Sequence, residues 1–201
     1  MPASLPNSLS AAIRNVVSRH VRIFGQTDTI AEVDDTIGAN ALVFIDTIHN
    51  RIHRGQFFSL DNFNSALANS GTIDVLVKVT TGVHVRAIAS AGGDARFQLF
   101  EGTTVSANGT PATPVNRNRF SALTAVTQFF TGPTITADGT ALLDTLLPGG
   151  TGGIFSGGGG GQTFEEFVLA PGNYLLRLTN ISGSTQPANV QIDFYEDVYD
   201  A

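Results

Sequence analysis

The stretch Ala95–Thr136, ARFQLFEGTTVSANGTPATPVNRNRFSALTAVTQFFTGPTIT, decides how this chain is read. It opens on a strand-like run, Arg96-Phe97-Gln98-Leu99-Phe100, and then fills with turn formers: Glu101-Gly102, Asn108-Gly109, Pro111 and Pro114. A basic, amide-rich cluster follows, Asn116-Arg117-Asn118-Arg119, and the chain returns through Phe129-Phe130. The reading is a strand, a long decorated loop and a second strand. The stretch holds little that could do chemistry and a good deal that could touch a partner.

Working outward, the same grammar repeats. Thr72–Thr80 (TIDVLVKVT) alternates, with Ile73, Val75, Val77 and Val79 on one face and Leu76 on the other beside Asp74 and Lys78. Val83–Ala89 alternates again, and Ala91-Gly92-Gly93-Asp94 reads as a hairpin-type turn. Gln56–Leu60, Gly139–Leu147, Thr163–Leu169, Tyr174–Asn180 and Val190–Tyr195 are further strand candidates; Ala170-Pro171-Gly172-Asn173 is a strong turn. About eight short strands between Gly, Pro and Asn turns predict an all-β fold, a β-sandwich or jelly-roll-like domain spanning 49–201. Gly149–Gln162 is a low-complexity glycine-rich loop, and the acidic tail Glu196–Ala201 is expected to fray.

Residues 1–48 read differently. Pro2 and Pro6 predict an extended start, and Ser8 could cap a short helix over 9–19, although Val16, Val17, Val21 and Ile23 are β-branched. Gly25–Asn40 has the composition of a loop or arm, and Ala41–Ile48 reads as a strand. The segment is therefore expected to be an N-terminal arm, with Ile13, Val17, Arg22 and Phe24 as contact candidates.

Composition limits the function. Hydrophobic residues make up 42% of the 201, enough for a packed core, while charged residues are only 14%. The net charge of −6 argues against a general nucleic-acid binder, which needs a basic face to displace counterions. All but one of the 11 cations are Arg, the type favoured at interfaces. There is no Cys, so disulfides, zinc–thiolate sites and a Cys nucleophile are excluded. No apolar run reaches the ~18 residues that would span a bilayer. The start MPASLPNSLSAA lacks a basic-then-apolar signal pattern, so synthesis in the cytoplasm is expected, with the chain soluble or joined to an assembly there.

Catalytic and metal patterns are weak. His49 and His53 stand four apart, but no Glu follows the first, and the flanks read as β or loop, so no metal or cofactor is assigned. No nucleophile elbow surrounds any Ser. Asp34-Asp35, Glu165-Glu166 and Glu196-Asp197 are adjacent pairs, which a strand points to opposite faces, and they read as solvated turns and edges. Gly157–Gly161 lacks the Lys-Ser/Thr of a phosphate-binding loop. Asn116, Arg117, Asn118 and Arg119 read equally well as a partner contact or as an exposed hairpin loop.

Several segments together resemble the capsid decoration, or cement, proteins of tailed bacteriophages. They are His49-Asn-Arg-Ile-His53 with Gly55, the strand Ile73–Thr80, Leu99–Thr110 (LFEGTTVSANGT), and Thr113–Arg119 (TPVNRNR). Gly132–Thr136, Asp138-Gly139-Thr140, Leu169–Leu175 (LAPGNYL) and Phe194-Tyr195-Glu196 complete the set, which covers about 49–196. Segment 1–48 has no counterpart, and Arg117 and Arg119 lie further from Pro114 than the minimal pattern requires. The resemblance implies no catalytic residue. It implies a virion protein on the capsid surface, a homotrimer whose partner is the major capsid protein, with no nucleic-acid or membrane contact. Such a protein binds the mature lattice across capsomer joints and so stabilises it. The reading kept beside it is a host-attachment or carbohydrate-binding module, which would need exposed aromatic side chains; with no Trp and 3 Tyr the chain offers few.

Overall fold

A computed structural model describes residues 47–149, 162–163 and 166–196. The expected arm up to residue 46, its helix over 9–19 and the candidates Ile13, Val17, Arg22 and Phe24 lie outside the described residues, as does most of the glycine-rich segment 149–162.

The described chain is all-β and sandwich-like, entered through one short helix. That helix, α1 (Thr47–His53), occupies a region whose sequence reads as β or loop. Its end explains the difference. Gly55 has φ +72 and lets Gly55 N–H reach Ile52 O (2.9 Å) while Gln56 N–H reaches Arg51 O (2.9 Å), a double bond pattern that closes a helix on a left-handed glycine. Arg51 and His53 in the last turn also suit the helix dipole.

The strands are β1 (Phe57–Leu67), β2 (Thr72–Val79), β3 (Val83–Ala91), β4 (Ala95–Glu101), β5 (Thr104–Ala107), β6 (Thr110–Ala112) and β7 (Val115–Asn116). After the long loop come β8 (Gln128–Thr131), β9 (Thr134–Ala137), β10 (Thr140–Leu147), β11 (Gln162–Thr163), β12 (Phe167–Leu169), β13 (Gly172–Asn180) and β14 (Gln186–Glu196). One sheet runs β11–β3–β14–β1–β7, with β12 also on β3; the second runs β10–β4–β13–β2–β8–β6; β5 and β9 form a separate ribbon. All pairings are antiparallel, and one set of them is nested: β1 with β14, β2 with β13, β3 with β12, β4 with β10. The inward rows of the two sheets meet in one core, which includes Phe58, Val75, Val77, Val85, Phe97, Phe129, Leu176, Leu178, Ile192 and Phe194.

This winding corrects two expectations and buries one residue of an outer face. Ala91–Asp94 is not a hairpin turn: β3 and β4 lie in different sheets, so the turn is a corner between layers. Glu196 does not fray; it is wholly buried at the end of β14. Leu76, on the nominally outer face of β2, is buried as deeply as the inner row.

The burial of Leu76 has a topological cause. The segments β4–β5–β6 and β8–β9–β10 are two long strands paired in near-constant register, from Leu147↔Ala95 through Thr140↔Glu101 and Thr104↔Ala137 to Thr110↔Thr131 and Ala112↔Phe129. Both kink where glycines of positive φ face each other, Gly102 with Gly139 and Gly109 with Gly132. One end of this ribbon forms the β10–β4 edge of the second sheet, the other its β8–β6 edge. The middle, β5–β9, therefore straps over β13 and β2. Beneath it an apolar row, Phe100, Leu175 and Leu76, lies across three neighbouring strands and is buried. Arg177 on β13 fastens the strap, donating to Asp138 Oδ1 (3.0 Å) and to Asp74 on β2 (2.8 Å).

Candidate functional site

The ribbon's closed end is the loop from Ala112 to Gln128, which contains the Asn116–Arg119 cluster. Its backbone is fixed by side chains that sequence reading placed on the surface. Asn116 pairs through β7 with Phe58 of β1, and its side chain is buried. Asn116 Nδ2 donates to Gly55 O (2.7 Å) and Leu123 O (3.0 Å), while Oδ1 accepts from Asn118 N–H (2.9 Å). Asn118 Nδ2 donates to His53 O at the end of α1 (2.8 Å), and its Oδ1 accepts from Phe120 N–H (3.1 Å). Both amides thus tie the loop to α1 and to itself, the turn chemistry Asn performs best.

Arg117, although exposed, is also tied down, against the outer face of the first sheet. Its Nη2 donates to both carboxylate oxygens of Asp193 at 2.7 Å, Nε donates to Ser59 Oγ (2.6 Å), and the guanidinium lies 5.0 Å from the centre of the Phe57 ring. At the far end of the loop, the buried Glu196 carboxylate accepts from Val126 N–H (3.0 Å) and from Thr127 N–H. A buried carboxylate satisfied by backbone donors is a strong local anchor.

What this scaffold holds out is apolar. Phe120 is fully exposed (102% of its reference area), with Val115, Leu123 and Val126 exposed on the same segment and Arg119 beside it. Arg119 makes a 3.4 Å contact to Asn116 O. Four of the chain's 11 Lys and Arg residues, Arg51, Arg54, Arg117 and Arg119, belong to this loop, to the adjoining α1 or to the turn that ends it. An aromatic ring and an Arg on a backbone already fixed in place are the features of an interface anchor, because little conformational entropy is left to lose on binding.

Of the four clustered candidates, Asn116, Arg117 and Asn118 therefore build the loop, and Arg119 is the one presented outward. Sequence reading missed Phe120, Asp193 and Glu196. Phe120 lies in a segment without alternation, so nothing marked it as a side chain with no core to enter. Asp193 and Glu196 meet the loop only through contacts more than 65 positions apart.

Two other clusters were weighed. His49 and His53 meet edge to face on α1 with ring centroids 4.5 Å apart, and among the described residues no group of three or more His, Asp or Glu could hold a metal ion. On the outer face of the first sheet, His84 Nδ1 lies 2.6 Å from Glu166 Oε1, and Tyr195 Oη donates to the same oxygen (2.8 Å). Burial pushes the Glu166 carboxyl up, but the hydrogen bonds from His84 and Tyr195 outweigh it and hold the group below its ordinary value. Arg51 stacks 4.4 Å from the Tyr195 ring centre. This cluster joins α1, β3, β14 and the residue just before β12, and is a structural clasp.

Comparison of the chain with protein-family models, with curated proteins and with solved structures finds no match.

Proposed function

We propose that this protein is a non-enzymatic docking module that attaches to a large protein assembly through the Phe120 loop. The observation that carries the reading is the pairing of a fully exposed Phe120 with a loop backbone immobilised by Asn116, Asn118 and Glu196. The complementary surface is an apolar pocket for Phe120 rimmed by acceptors for Arg119. The motif resemblance names the assembly: the mature capsid of a tailed bacteriophage, with the major capsid protein as partner and a homotrimer as the attached form. We further read the nested pairing of the first strands with the last as a jelly-roll winding, one long antiparallel hairpin rolled into two layers, an architecture used by virion proteins.

The test is co-sedimentation with purified mature capsids that lack the protein, followed by heating of the particles. Wild type is expected to bind and to raise the temperature at which the shells open. Phe120→Ala, whose side chain supports nothing in the fold, is expected to lose about tenfold or more in affinity, as hot-spot aromatics do. Absence of binding by the wild type, or unchanged heat resistance of decorated shells, would sink the capsid reading. Binding undiminished in Phe120→Ala would remove the loop from the interface.

A further inference from the structure

A second surface lies further along β1, past the point where its neighbour β7 stops. Pairing with β7 covers only Phe58 and Ser59, and pairing of β2 with β8 begins at Val75. On this side β1 and β2 border an open groove of about 540 Å³. Its walls are Asn62–Ser65 from β1, Thr72–Asp74 from β2, and Thr131–Pro133 at the kink of the strap.

The lining narrows the chemistry of any ligand. Phe63 is 58% exposed at the groove. Around it stand the Asn62 amide, the Asn64 Nδ2 group and the Ser65 hydroxyl, none committed to a hydrogen bond within the protein; only Asn64 Oδ1 is used, by Ala66 N–H (2.9 Å). Among the described residues, Asp74 is the only charged one in the lining, and its carboxylate is already paired with Arg177 and bonded by Thr72 Oγ1. With no cation among the described lining residues, phosphates, nucleotides and acidic polymers find no counter-charge there. With amides and hydroxyls dominating, a wholly apolar ligand would strand polar groups. An exposed ring ringed by uncommitted donors and acceptors suits a ligand with an apolar face and a hydroxyl rim.

We propose that this groove is a binding site for a neutral saccharide, one sugar ring lying against Phe63 and its hydroxyls bonded by Asn62, Asn64 and Ser65. The site is separate in residues from the Phe120 loop, so the protein carries a glycan-binding function besides docking. A fold that holds its partner with one loop can present such a groove to a cell-surface glycan.

The experiment applies the full-length protein to a printed array of neutral hexose and N-acetylhexosamine oligosaccharides. The array also carries uronic-acid and sialic-acid glycans, and an extended-peptide library is probed in parallel. The best binder is then titrated while backbone amide resonances are followed. The expected result is selective binding to neutral glycans, with the largest resonance shifts at Asn62–Ser65 and Gly132. Affinity should fall about tenfold or more in Phe63→Ala and in Asn62→Asp, both at exposed or half-exposed positions, and remain unchanged in Phe120→Ala. No array signal overturns the proposal, as does a signal confined to acidic glycans or peptides, or one that Phe63→Ala and Asn62→Asp leave intact. Circular dichroism of both variants separates lost binding from lost fold. Because Phe120→Ala is silent here and Phe63→Ala is silent in capsid sedimentation, failure of one function is distinguishable from failure of the other.

Discussion

Arg117 and Arg119 are two residues apart and chemically identical, yet the fold uses them for different purposes. Arg117 closes a bidentate pair on Asp193, a nearly buried carboxylate that also accepts from Ser59 Oγ (2.7 Å) and Gln191 Nε2 (3.1 Å). Removing the guanidinium leaves that carboxylate short of donors. Arg117→Ala is expected to lower the unfolding free energy by about 1–3 kcal/mol in urea denaturation. Arg119→Ala is expected to change it by less than about 0.5 kcal/mol, as ordinary surface substitutions do. Equal costs would show that the Asp193 pair is not what fixes the loop. Consequently Arg119 and Phe120 are the substitutions that probe binding cleanly, whereas Arg117 mixes binding with folding.

Among the elements, the strap depends on its paired kinks. Both Gly102 (φ +74) and Gly139 (φ +95) adopt the left-handed region that costs other residues about 1–2 kcal/mol. They differ in room. A Cβ on Gly139 would lie 2.1 Å from Glu101 O, whereas one on Gly102 would meet nothing within 4 Å. Gly139→Ala is therefore expected to destabilise the protein well beyond Gly102→Ala, which should carry only the backbone penalty. Thermal melting of the two variants measures the difference, and equal shifts would argue against this register. The clasp on the opposite sheet makes a prediction in pH. Glu166 has a depressed carboxyl in the folded state, so its contribution is complete above the ordinary value of 4.5 and disappears as pH falls through the lower folded value. Glu166→Gln should flatten the fall in stability between about pH 5 and pH 3, measured by urea titration at each pH. An unaltered slope would mean that other carboxylates account for acid sensitivity.

At the scale of the whole molecule, the last two strands complete both layers. β14 lies between β3 and β1 in one sheet, and β13 lies between β4 and β2 in the other. Both are long and largely buried. A chain ending at Ala170 would leave β3 and β1, and likewise β4 and β2, without the strand between them. It is expected to show no cooperative thermal transition and little native β signal in circular dichroism. A cooperative melt in that truncation would mean that the remaining strands can pair without their central partners. Because Phe57 must find Tyr195, closure is dominated by contacts distant in sequence, and refolding of the intact chain belongs to the slow, millisecond-to-second class.

The sequence by itself determined the class of fold and most of its strands. Alternation in Thr72–Val79 and Val83–Ala91, with turns such as Asn108-Gly109 and Pro171-Gly172, is a local property that needs no partner to be read. It also carried the glycines of the strap, though not their pairing. What only the tertiary structure decided is which strands meet and which side chains are left over. Leu76 and Lys78 both sit on the outer face of β2, and only the strap crossing above makes one of them core. α1 was obscured because seven residues give too weak a period, and its closure depends on one glycine's φ. Asn116 and Arg117 resembled a contact surface because their partners Gly55 and Asp193 are 61 and 76 positions away. Phe120 carried no mark in the sequence, and only the fold shows that it has no core to enter. A residue's local preference is written in its neighbours in the chain, but its burial and its satisfied bonds belong to neighbours in space, and long-range antiparallel pairing separates the two.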